Sequence, residues 1–120
     1  MSATNNDSLE LLKLAMHQFA QEREWEQFHS PKNLSMALAG ETAELLDCFR
    51  WLTEEQSYQL DSKQMSAVKD ELADVLLFTV RLADKLNVDL LSAAQQKIAK
   101  NAERYPVEKV KGNAKKYNQY

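Results

Sequence analysis

The chain has 120 residues, 44% hydrophobic and 28% charged, which suits one soluble globular domain with a modest core. Two glycines and two prolines are too few for a turn-rich β fold and favour long helices. The net charge of −3 is uneven: residues 97–120 carry seven basic and two acidic side chains on an otherwise acidic chain, unlike a duplex nucleic-acid binder but suited to holding cations in one place and phosphates in another.

The first predicted helix runs from about Ser8, its expected cap, to Glu26, with Leu9, Leu12, Met16, Phe19 and Ala20 at helical spacing. His29-Ser30-Pro31 interrupts it, and Pro31 can open the next helix, expected over Lys32 to Leu52. Thr53 to Leu60 is a polar connection. Asp61 or Ser62 caps the third helix, which continues to about Leu86. Asn87-Val88-Asp89 makes a short turn, with Asp89 as cap of a fourth helix that stops near Arg104, ahead of Pro106. The stretches 1–7 and 107–120 are polar tails. Short connections between long helices predict antiparallel packing, so the expected fold is all-α, a four-helix bundle formed by one domain.

No apolar run reaches the ~18 residues of a membrane span. The N-terminal residues lack the apolar core of a signal peptide, and the single Cys48 suits a reducing compartment. The expectation is a cytoplasmic protein without membrane or nucleic-acid partners.

On a helical wheel the second helix places Glu41 and Glu44 inside an apolar arc of about 120° that also holds Leu34, Leu38, Leu45 and Cys48. The third helix does the same with Glu71 and Asp74 among Val68, Val75, Phe78 and Leu82. Each pair reads acid-x-x-acid, which projects both carboxylates from one face, a turn apart. Facing stripes would converge four anions in a core, which is costly unless a cation joins them. A hard divalent ion with oxygen ligands, Mg²⁺, answers that need. A di-iron bundle would want Glu-x-x-His on two helices, and neither acid pair is followed by one. One such acid pair alone is ordinary solvated helix face, as expected for Glu10, Glu22, Glu24, Glu54, Glu55, Asp70 and Asp84; two pairs within apolar stripes are not. Cys48 reads as core filler rather than nucleophile.

These residues resemble the MazG-like superfamily of all-α NTP pyrophosphohydrolases, and within it the single-domain dCTP pyrophosphatase branch. The segments that carry the resemblance are Trp25-Glu-Gln-Phe-His29, Ser30-Pro-Lys-Asn-Leu34, Gly40-Glu-Thr-Ala-Glu44 with Phe49-Arg-Trp51, Asp70-Glu-Leu-Ala-Asp74 and Lys100-Asn-Ala-Glu-Arg-Tyr-Pro106. The resemblance implies that Glu41, Glu44, Glu71 and Asp74 form the catalytic metal site for Mg²⁺, with Mn²⁺ as a substitute. It implies that Trp25 and Trp51 line the base and sugar pocket, and that the protein is a homo-oligomer, a dimer of dimers. Met16 and Phe78 depart from the branch at positions that bear on nucleobase preference.

Lys97, Lys100, Asn101 and Arg104 share one face of the fourth helix, where they would neutralise phosphate oxygens; a basic helix end that complements the helix dipole is the alternative reading. His29, ahead of the Ser-Pro helix start, and Tyr105 complete the expected substrate-binding set with Phe78. The tail lysines Lys109, Lys111, Lys115 and Lys116 are solvated or fold over the nucleotide. The expected reaction is attack of water on the α-phosphorus, giving a nucleoside monophosphate and pyrophosphate, with Glu41 as the base. A non-catalytic helical nucleotide-binding or oligomerisation module is the alternative. Apolar residues outside the acid-bearing arcs, Met36, Ala39, Ala43 and Leu46 on the second helix and Leu76, Leu77, Val80 and Ala83 on the third, predict self-association, since a helix apolar all round is buried on all sides.

Overall fold

The computed structural model describes residues 7–114, and these are helical without a strand. Lys115, Lys116 and the N-terminal stretch before Asp7 lie outside the described residues. The chain divides into two compact units, one running to Val88 and the other starting at Asp89.

The first unit contains α1 (Ser8–Glu22), a 3-10 turn (Glu26–Phe28), α2 (Pro31–Asp47), a single-turn helix α3 (Glu54–Ser57) and α4 (Ser62–Lys85). The long helix α4 packs against both α2 and α1. Ala20 of α1, Leu34 of α2 and Val68, Val80 and Ala83 of α4 are buried and form the apolar core. The second unit holds α5 (Leu90–Arg104) and the short α6 (Val107–Val110), which occupies the beginning of the expected C-terminal tail.

Helix starts follow side-chain capping chemistry. Asp7, one residue before the expected Ser8, accepts from the Leu9 amide at 2.8 Å and caps α1. Ser30 accepts from the Asn33 amide at 3.1 Å, with Pro31 as the first residue of α2. Asp61 and Gln64 form a reciprocal capping box on α4, and Asp89 accepts from the Ser92 amide at 3.0 Å on α5. The polar connection contains the one-turn helix α3, where Thr53 and Gln56 make a second capping box.

Helix ends depart more from expectation. α1 stops at Glu22, not Glu26, because Glu24 adopts φ 55°. The Trp25 amide then bonds back to the Ala20 carbonyl at 2.9 Å and the Glu24 amide to Gln21 at 3.1 Å. This left-handed stop ends the helix without a glycine. Asn87, also at φ 55°, ends α4 in the same way, with the Val88 amide on the Ala83 carbonyl at 2.8 Å. α2 stops at Asp47 rather than Leu52: the Cys48 and Phe49 amides bond three residues back, which tightens the last turn out of α geometry.

Candidate metal and substrate site

The two acid pairs meet across the α2–α4 contact. One carboxylate oxygen from each of Glu41, Glu44 and Glu71 can be chosen so that all three lie within 4.8 Å of one another. Glu41 and Glu71 are half-buried, and the Oε2 atom of each is buried without a hydrogen-bond partner. Glu44 is exposed. Asp74 stands outside the three-oxygen group yet close enough for its charge to act on Glu41 and Glu71.

The electrostatics express this crowding. Burial, then the Glu71 and Glu44 carboxylates and the charges of Glu44 and Asp74, push Glu41 up to about 7. Glu71 is also raised, chiefly by burial. Two buried, unpartnered oxygens on facing helices are what a hard divalent cation would satisfy, since Mg²⁺ takes carboxylate oxygens and retains positions for phosphate. The donor set therefore fits such an ion. Cys48, half-buried, donates its thiol to the Glu44 carbonyl at 3.5 Å and takes no part in the oxygen cluster.

A second polar cluster, which the sequence reading missed, lies further along α4. The Arg81 side chain is 1% exposed. Its guanidinium donates to Glu26 Oε1 at 2.5 Å, His29 Nδ1 at 3.0 Å and Asp84 Oδ2 at 3.2 Å. Lys85 Nζ donates to Glu26 Oε2 at 2.6 Å. His17 Nδ1 stands 3.4 Å from Arg81 and 3.5 Å from Glu26. His17, Glu26, Arg81, Asp84 and Lys85 line an open cavity of about 230 Å³. Asp84 is thus not the solvated residue expected but a partner of a buried cation. One sequence signal was available: Arg81 sits between Val80 and Leu82 in the apolar half of α4, where a charge needs a partner.

The other expected substrate residues are distributed as follows. Trp25 is partly exposed, with its ring edge-on to Phe19 at 5.7 Å and to His29 at 6.2 Å. His29 is half-buried on Arg81. Phe78 lies between Asp74 and Arg81 on the same face of α4, at i+4 and i+7 from Asp74. Trp51 is 83% exposed in the turn after α2, with the Arg50 guanidinium 5.1 Å from its ring centre. Lys97, Lys100, Asn101 and Arg104 lie exposed on α5, and Tyr105 is its half-buried C-terminal cap, all in the second unit.

No helix among the described residues is long and apolar enough to cross a membrane. Of the apolar residues expected on an outer face, Val80 and Ala83 are buried in the core of this chain instead, in a helix that packs against α1 as well as α2. Met36, Leu46 and Leu76 are exposed, as is Leu72.

Comparison with known proteins shows the family to which the chain is similar. Residues 37–119 match the model of the MazG-like family. The chain is 43% identical to dCTP pyrophosphatase 1 of Mus musculus over 112 residues, covering 92% of this chain and 66% of the relative. It is 39% identical to dCTP pyrophosphatase 1 of Bos taurus over 118 residues, covering 97% and 70%, and 38% identical to that of Homo sapiens over 114 residues, covering 93% and 67%. It spans about two thirds of the length of these curated relatives. Among solved structures, a pyrophosphatase from Archaeoglobus fulgidus DSM 4304 is similar with a TM-score of 0.77 and 31% identity, covering 82% of this chain and 92% of that one. Facing acid pairs on α2 and α4, an all-helical fold and these matches together establish that the chain belongs to the MazG-like family.

Proposed function

We propose that the protein is a Mg²⁺-dependent nucleoside triphosphate pyrophosphohydrolase that prefers dCTP or a related pyrimidine deoxynucleotide. The observation that carries the reading is the carboxylate cluster of Glu41, Glu44 and Glu71 between α2 and α4, in which Glu41 Oε2 and Glu71 Oε2 are buried without a hydrogen-bond partner. Two such atoms without a cation would each forfeit the solvation of a carboxylate. The nucleotide preference is supported by the dCTP pyrophosphatase relatives. Mg²⁺ held by the acid pairs, with Mn²⁺ as a substitute, supplies charge neutralisation to the triphosphate.

The chain's own residues supply the rest. Glu41, Glu44, Glu71 and Asp74 act as ligands or proton acceptors. Glu41, a half-buried carboxylate grouped with Glu44 and Glu71, takes the proton of the attacking water. The water oxygen bonds to the α-phosphorus, the bridging α–β P–O bond breaks, and its electron pair leaves with pyrophosphate. Trp25, Trp51 and Phe78 offer aromatic surface to the base, joined by His29. Lys97, Lys100, Asn101, Arg104 and Tyr105 offer polar groups to phosphate and sugar. The single Cys48 supports a cytoplasmic setting. The exposed Met36, Leu46, Leu72 and Leu76 support a homo-oligomer, with a dimer of dimers as the expected form.

The test is hydrolysis of each natural dNTP with Mg²⁺ in ¹⁸O-water. Label in the monophosphate and the fastest rate with dCTP are expected. Label in pyrophosphate, or release of orthophosphate, would contradict attack at the α-phosphorus. Binding of a triphosphate without turnover would point to a regulatory nucleotide-binding module.

A further inference from the structure

We propose that Arg81 is a positioning residue for nucleobase recognition: it pins the Trp25–His29 segment to α4 and fixes His29 as the Nε2–H tautomer, so that His29 presents a neutral hydrogen-bond donor to an acceptor atom on the base. The inference deepens the functional reading above and rests on it.

The argument starts from proton bookkeeping. Arginine has donors only and keeps its charge at any working pH. Arg81 Nε donates to His29 Nδ1 at 3.0 Å, so Nδ1 is an acceptor and the ring proton of the neutral imidazole resides on Nε2. Protonation of Nδ1 would break that bond and set an imidazolium against a buried guanidinium. Burial and the Arg81 charge hold His29 below its usual pKa, although Glu26 acts in the opposite sense. His29 is therefore a donor at one known atom and a cation at none.

The segment that carries His29 is tied down on several sides. Glu26 accepts from both Arg81 and Lys85, so two cations of α4 hold the 3-10 turn. Asn33 of α2 donates its side-chain amide to the Phe28 carbonyl at 3.1 Å. The backward bond from the Trp25 amide to Ala20 fixes where the segment leaves α1. Trp25, partly exposed and edge-on to His29, thus has a set position. Trp25 offers a stacking face that tolerates any base, whereas a donor beside it discriminates among base edges.

The placement on α4 connects this segment to the metal residues. Arg81 follows Asp74 by seven residues, two turns, so both lie on one face about 10 Å apart along the axis. A mononucleotide can bridge that distance with its phosphates on the acids and its base toward Trp25 and His29.

The experiment is ¹H–¹⁵N long-range correlation NMR of the full chain at pH 7.5, combined with steady-state kinetics on dCTP. Only two histidines are present, so a His17→Gln variant assigns the spectrum. His29 is expected in the Nε2–H form, and Arg81→Lys, which lacks the guanidinium fork, should release it to mixed tautomers. His29→Asn, with no N–H near Nε2, should raise KM about tenfold, the loss of roughly one hydrogen bond, while kcat changes less than KM. His29→Gln, which can place an amide N–H near Nε2, should raise KM less. Glu26→Gln keeps the fold testable if Arg81→Lys does not fold, and should also raise KM. Turnover with His29 as Nδ1–H or imidazolium, or an unchanged KM in His29→Asn, would overturn the proposal alone. An Nε2–H tautomer in a chain that neither binds nor hydrolyses any triphosphate would overturn the functional reading and the donor role with it.

Discussion

Glu26 Oε2 accepts from Lys85 Nζ at 2.6 Å while its other oxygen accepts from Arg81, so one carboxylate of the 3-10 turn joins two cations of α4. The Lys85 and Arg81 hydrogen bonds hold Glu26 down to about 2, from an ordinary 4.5. Its ionised form is thus favoured by folding. The associated stability is present above pH 4.5 and is lost as pH falls through the folded value. Melting curves of wild type and Glu26→Gln should differ at pH 6 and converge as pH approaches 2. A gap independent of pH would mean that Glu26 contributes only packing.

The acid cluster behaves with the opposite sign. Glu41 rises from 4.5 to about 7 on folding in the absence of metal. Its protonated form is favoured by the fold, so its contribution to the stability of the metal-free protein is full below pH 4.5 and is lost as pH rises through about 7. With EDTA present, Tm should be higher at pH 5 than at pH 8. Saturating Mg²⁺ should reverse the order, because the cation binds the ionised ligands of the native state. Parallel pH profiles with and without Mg²⁺ would count against a cation site at these residues.

Substitution should separate the roles within the cluster. Glu41→Gln, Glu44→Gln, Glu71→Gln and Asp74→Asn are each expected to lower turnover by about 100-fold or more, as for loss of a metal ligand or general base. In EDTA, Glu41→Gln and Glu71→Gln should raise Tm, because each removes charge from a buried, unpartnered carboxylate. Asp74→Asn should raise it less, since Asp74 lies outside the tight three-oxygen group. Wild-type activity in all four variants would move the site elsewhere.

Much of this fold was legible in local chemistry. Pro31, Asp61 and Asp89 mark helix starts through capping rules that need only a few consecutive residues. The acid pairs were legible because a charge inside an apolar stripe violates the pattern around it. Arg81 violated its stripe in the same way, but its partners Glu26 and His29 stand 55 and 52 residues away. No spacing rule connects them; only the return of α4 against the α1 end of the chain does. The end of α1 was equally hidden, since glutamate is a poor signal for a left-handed stop.

That stop yields a direct stability test. A non-glycine residue in the left-handed region costs about 1 kcal/mol, which glycine does not incur. Glu24→Gly should therefore stabilise the protein by up to about 1 kcal/mol, read from urea denaturation at unchanged m-value. Destabilisation would show that the Glu24 side chain makes a compensating contact.

Self-association is testable at the exposed apolar positions of α4. Leu72 and Leu76 are 52% and 41% exposed. Leu76→Glu should lower the mass seen by light scattering and leave helical circular dichroism intact. A monomeric wild type at micromolar concentration would remove the need for a partner at this face.

The buried oxygens of Glu41 and Glu71 also constrain how such a protein can change over evolutionary time. A lineage that abandoned cation binding would keep a repulsive seam between α2 and α4 with nothing to offset it. Stability alone would then favour leucine or methionine at these positions, and the acids would be erased by drift toward an ordinary apolar seam. Glutamates in this place are a standing liability that only continued use of a cation makes tolerable. Descendants that lost the chemistry should thus be distinguishable by greased helices, even where the helical scaffold is unchanged.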